Sequence, residues 1–191
     1  MELDNRATEI AGGLGGLLVS VVAGVDYAMG GKLVERHETV VDALHAVGFA
    51  LMFAGALAVA DRYRPRLSAS GRVGLFTFAS LLAGFAVVSI PGLAENAAVL
   101  GAVGSVCFLG MFVTGLVGGV GLWRRTDCSR LGAALLALGL PMIVVVVALS
   151  AVDWFPVHAA IAEIPVYLGL AVLAVDGLRL QRPVAASAVT G

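Results

Sequence analysis

Six apolar runs, each close to the roughly 20 residues that a helix needs to cross a bilayer, constrain this chain more than any other feature in it. They cover residues 10–29, 41–60, 73–90, 97–122, 131–152 and 157–175. Lipid offers no water to backbone N–H and C=O groups, so such runs must be helical or belong to a closed barrel, and runs of this length suit helices. Hydrophobic residues make up 60% of the 191 and charged residues 13%, against about 25% charged in a soluble domain. The expected fold is all-α: an integral membrane bundle of six transmembrane helices over 10–178, with three successive hairpins as one arrangement. Short tails, 1–9 and 179–191, would flank it. The opening MELDNRATE is acidic and lacks the positive n-region of a signal peptide, so the first helix is expected to be retained.

The connections differ in charge. Arg6, Arg62, Arg64, Arg66, Arg72, Arg124, Arg125, Arg130, Arg179 and Arg182 all fall on one side if there are six spans. The other side holds Lys32 and Arg36 as its bases, against Glu35, Glu38, Asp42, Glu95 and Asp153. By the positive-inside rule this predicts a multi-pass protein of the plasma membrane with both termini cytoplasmic. Trp123 and Tyr63 would be interfacial anchors at the basic side, Trp154 and Tyr27 at the acidic side. Cys107 lies in an apolar run and Cys128 in a short basic loop, at different depths, so no disulfide is expected between them.

Small residues recur at helix-contact spacing. Gly12, Gly13, Gly15 and Gly16 open the first run, followed by Ser20 and Gly24, and the fourth holds Gly115, Gly118 and Gly119. Such spacing lets helices approach closely in lipid, either within one bundle or between two copies. A homo-oligomer through these faces is therefore one expectation, beside the lipid bilayer itself as a partner. Neither run resembles a phosphate-binding loop, because no Lys-Ser or Lys-Thr follows and no strand precedes. Pro141 and Pro165 lie well inside their runs and predict kinks; Pro156 suits a first-turn position.

Chemistry is concentrated at the acidic side. Glu35, Glu38, Asp42 and His45 share a helix face at i, i+3, i+7 and i+10, and Thr39-x-x-Asp42 matches a capping box, with Thr39 as the cap. His37, His45 and His158 all fall on this side. Asp26, His45 and Glu163 reach inside the hydrocarbon boundary, where ionisable groups are costly and mark a site by default. Tyr167 stands one turn from Glu163 on the same face.

Several activities lack their signatures. A zinc site could draw on His45, His158 and Asp26, yet there is no HExxH, and haem between His45 and His158 has no other support. No G-x-S-x-G suggests a serine hydrolase, and the aspartates sit at helix ends, unlike those of an intramembrane protease. Scattered loop arginines give no reason to expect nucleic-acid binding. No motif is specific enough to name a family, no cofactor is expected, and the identity of any metal is open. Three readings follow. The first is a small transporter or permeation protein with an outward-facing polar site of Glu163, Asp26, His45, His158 and Tyr167, rimmed by Glu38 and Asp42. The second is a non-catalytic accessory protein acting through its glycine faces, and the third a metal or haem enzyme at the acidic face.

Overall fold

Two consecutive glycines start the architecture. Gly30 and Gly31 hold φ of 64° and 80°, a left-handed conformation that residues with a Cβ rarely adopt. They reverse the chain within three residues, between helix α1 (Asn5–Ala28) and helix α2 (Lys32–Tyr63). The amides of Gly30 and Gly31 donate to the carbonyls of Tyr27 and Asp26, at 3.0 and 2.9 Å, and so satisfy the end of α1. Asp26 then turns back. Its Oδ1 accepts from the amides of Leu33 and Val34, at 3.1 and 3.2 Å, and thereby caps the first turn of α2 from the preceding helix.

The computed structural model describes residues 5–93, 97–124, 127–151 and 160–180. After α2 and a 3₁₀ turn (Arg64–Arg66) come α3 (Ala69–Val88), α4 (Ala97–Trp123), α5 (Arg130–Ala151) and α6 (Ala160–Leu180). All six α-helices are long and apolar enough to cross a membrane, and the described residues contain no strand. The chain is a multi-pass helical membrane protein. Each helix packs on the next in sequence, α6 closes the ring against α1, and α2 also reaches α6. One end of the bundle carries the basic loops, the other the α1–α2 turn; they are called here the basic and acidic ends.

The interior is filled by large apolar side chains, among them Phe49, Met52, Phe78, Phe112 and Leu136, all at most 2% exposed. The outside is apolar as well: Val99 is 72% exposed, Val106 67% and Val73 65%. This is what a lipid-facing surface requires. Phe49, Phe85, Phe108 and Phe112 form a chain of tilted and edge-on contacts across α2, α3 and α4, with centroids 4.7 to 6.3 Å apart.

Glycines set the closest approaches. Gly12 of α1 lies against Gly55 of α2, and a Cβ on Gly15 would fall 2.6 Å from the carbonyl oxygen of Gly48. Gly16 faces the other way, where a Cβ would stand 2.6 Å from the Tyr167 carbonyl of α6. In α4, a Cβ on Gly118 would meet Leu75 of α3 at 2.6 Å, and one on Gly119 the Ala133 carbonyl of α5 at 2.7 Å. Both GxxxG runs are thus occupied inside one chain.

Several boundaries differ from those expected. Helix α2 starts at Lys32 rather than 41, because Asp26 caps it there. It is broken once, at His37 (φ −136°, ψ 36°), and Thr39 lies beyond that break, inside the helix and exposed. Thr39 therefore does not cap the start of α2. The expected tail 1–9 is helical from Asn5, and α6 runs on to Leu180. Pro141 and Pro165 sit inside helices that continue through them. Trp123 and Tyr27 are 50% and 40% exposed, but Tyr63 is 1% exposed. Its hydroxyl donates to the carbonyl of Asp127, at 3.3 Å, so it ties α2 to the α4–α5 loop. Trp154 and Pro156 lie outside the described residues.

Candidate functional site

Helices α1, α2 and α6 touch one another pairwise, and each carries one of the ionisable groups expected to reach into the hydrocarbon. Glu163 stands in the first turn of α6 and is half-buried. One turn on, Tyr167 is 1% exposed and its hydroxyl donates to Glu163 Oε2 at 3.2 Å. The i, i+4 spacing places the two on one face, and α1 covers that face where Gly16 admits the backbone of Tyr167.

His45 approaches from α2. Its ring centroid lies 5.7 Å from that of Phe49, and Phe49 meets Tyr167 edge-on at 5.7 Å. Phe49 thus neighbours both the imidazole and the Tyr167 ring. Asp26, 6% exposed, comes from α1 and is close enough for its charge to act on both His45 and Glu163; Asp42 acts on His45 as well. His45 and Glu163, far apart in sequence, are thus both within electrostatic reach of Asp26 at the acidic end.

The other expected residues divide. Asp42 is half-buried, while Glu35, His37 and Glu38 are fully on the outside, on the first turns of α2. His158, Asp153 and Glu95 lie outside the described residues. Among the described residues no three His, Cys, Asp or Glu side chains are grouped as metal ligands; the set expected from sequence needs His158. Asp26 also has a structural duty that the sequence reading did not assign, the capping of α2.

A second polar cluster, at the basic end, was missed. Glu9 of α1, 1% exposed, forms an ion pair with Arg62 of α2. Arg62 also donates to the Leu173 carbonyl of α6 at 3.4 Å, and its guanidinium fills the space beside Gly177 where a side chain would otherwise sit. The same three helices are thus pinned at their other end. Reading Glu9 as part of an acidic tail and Arg62 as a topology marker concealed this. The available signal was periodicity: Glu9, Gly13, Gly16 and Ser20 lie at i, i+4, i+7 and i+11, so Glu9 continues the contact face by one turn. Nearby, Asp176 accepts from the Ser129 amide at 2.9 Å, and Arg66 pairs with Asp127. These contacts fasten the α4–α5 loop. Cys107 and Cys128 are both buried and free.

Comparison with known protein families, with curated proteins and with solved structures found no match.

Proposed function

We propose that this protein is a small transporter or permeation protein of the plasma membrane, with both termini cytoplasmic, binding a proton, cation or small polar solute at its acidic end. The observation that carries this reading is that Asp26 of α1 stands within electrostatic reach of both His45 of α2 and Glu163 of α6, on three helices that pack on one another. Ionisable groups at hydrocarbon depth are costly unless they serve a site. Glu163 is the binding group, and Tyr167 orients it by donating to one carboxylate oxygen. Asp26, already engaged in capping α2, contributes charge rather than a mobile ligand. His45, Glu38 and Asp42 line the approach. The arginine-rich side faces the cytoplasm because basic loops are retained there.

The competing reading, an accessory protein acting through glycine faces, loses its main support because those faces are filled by neighbouring helices. Any contact between copies would use other surfaces. No described feature favours an enzyme or a nucleic-acid partner.

The test is flux in proteoliposomes loaded with a pH-sensitive dye, driven by a potassium gradient, with sodium and potassium uptake measured in parallel. Flux above empty vesicles is expected, and Glu163→Gln should abolish it while Glu35→Gln, at an exposed position outside the site, leaves it intact. Equal flux through wild type and Glu163→Gln would remove Glu163 from the mechanism.

A further inference from the structure

A groove of about 480 Å³ opens at the basic end between the start of α3 and the end of α4. Its mouth is polar, formed by Arg66, Arg124, Ser68 and Ser70, and its floor is Val117 and Val120 of α4. Arg66 is 57% exposed although it pairs with Asp127. Counting that aspartate against Arg66 and Arg124 leaves the mouth with one net positive charge. Below the mouth, Val113, Val117 and Val120 are 48%, 39% and 39% exposed. They fall at i, i+4 and i+7 and form a stripe along the outside of α4. Val106 and Leu109, 67% and 57% exposed, extend this apolar surface towards the middle of the bundle.

We infer that this groove seats one anionic phospholipid of the leaflet at the basic end, its phosphodiester against Arg66, Arg124, Ser68 and Ser70 and an acyl chain along the α4 stripe. Two features point to a lipid rather than a free phosphate. The cationic mouth lies at the end of a membrane helix, where headgroups are, and it leads directly onto an apolar track. Arginine donates in a fork that matches phosphate oxygens, and the Ser68 and Ser70 hydroxyls, which bond each other at 3.1 Å, leave one neutral donor for the phosphate. The net positive charge selects an anionic headgroup over a zwitterionic one, whose ammonium would be brought next to Arg124. Glycine packing shapes the seat: a Cβ on Gly121 would lie 3.1 Å from the Cα of Gly71, so α3 and α4 approach closely beside it. The inference does not depend on transport.

The experiment is native mass spectrometry of detergent-purified protein equilibrated with equimolar phosphatidylglycerol and phosphatidylethanolamine, with inorganic phosphate as a separate arm. Phosphatidylglycerol should be retained about fivefold over phosphatidylethanolamine, the factor that one basic residue contributes near an anionic headgroup. Arg124→Gln, which leaves the Arg66–Asp127 pair in place, should abolish the preference. Arg72→Gln, an exposed arginine outside the groove, should retain it. Equal retention of the two lipids overturns the inference, as does a preference that survives Arg124→Gln. Displacement of the lipid by millimolar phosphate overturns it too, since the site would then take a free anion.

Discussion

Gly12 of α1 and Gly55 of α2 meet backbone to backbone, each standing where the other's side chain would be. Neither position accepts a methyl group unless the helices separate. Gly55→Ala should therefore destabilise the protein by ~1–3 kcal/mol, the usual cost of overpacking, and Gly55→Leu by more. Gly101, by contrast, has nothing within 4 Å of its Cβ position. Gly101→Ala should be neutral or stabilising, up to about the 1 kcal/mol that glycine costs in a helix. Unfolding in mixed micelles measures both; a loss for Gly55→Ala and none for Gly101→Ala is the expected result.

Arg62 lies in a setting where losing its partner is expensive. Arg62→Ala leaves the Glu9 carboxyl buried beside an empty space, and breaking a buried pair in this way costs about 3–5 kcal/mol. Glu9→Gln should cost less, because Arg62 keeps the Leu173 carbonyl. The double variant Glu9→Gln, Arg62→Met should recover part of the loss. A double-mutant cycle on unfolding free energies reads the coupling, and strict additivity would mean that the two residues do not act as a pair.

Capping of α2 from α1 has its own signature. Asp26→Ala should cost about 1 kcal/mol, as a lost cap does, while Asp26→Asn retains an acceptor for the Leu33 and Val34 amides and should nearly preserve stability. Thr39→Ala should change little, since Thr39 is exposed inside the helix. Amide hydrogen exchange at residues 33 and 34 checks this: faster exchange in Asp26→Ala and unchanged exchange in Thr39→Ala are expected.

Cys128 gives a pH-dependent readout. Burial pushes its thiol up to about 11 from the ordinary 9, reinforced by the nearby carboxylates of Asp176 and Asp127 and opposed by Tyr63 and Arg62. In a Cys107→Ala background, iodoacetamide should alkylate Cys128 about a hundredfold more slowly at pH 8 than an unperturbed thiol, because the thiolate is the nucleophile. The rate should keep rising until the pH reaches about 11. The sign for stability follows: the contribution is fully present below pH 9 and declines as pH rises towards 11, where the unfolded thiol has ionised and the folded one has not. A rate that levels off near pH 9 would contradict this.

The six spans were legible because lipid imposes a length and composition that no loop matches. The charge imbalance between connections was equally plain. The sequence also pointed to Asp26, His45 and Glu163 separately, since each interrupts an apolar run. What it did not convey was partnership. Asp26 caps a helix seven residues ahead through two left-handed glycines, so α2 begins before its apolar run does. Glu9 and Tyr63 looked like tail and anchor because their partners, Arg62 and the Asp127 carbonyl, are fixed only by how the helices assemble. The glycines announced close contact without naming which helix fills it.

The Glu9–Arg62 pair also bears on how the chain enters the membrane. An unpaired carboxylate or guanidinium on a membrane helix is costly to insert. Here the two opposite charges belong to two helices consecutive in the chain, joined by the tight turn at Gly30 and Gly31. The hairpin can neutralise itself before any later helix emerges. The Leu173 carbonyl and the space at Gly177 come later in the chain, with α6, so closure of the ring completes a contact that the α1–α2 hairpin has already prepared.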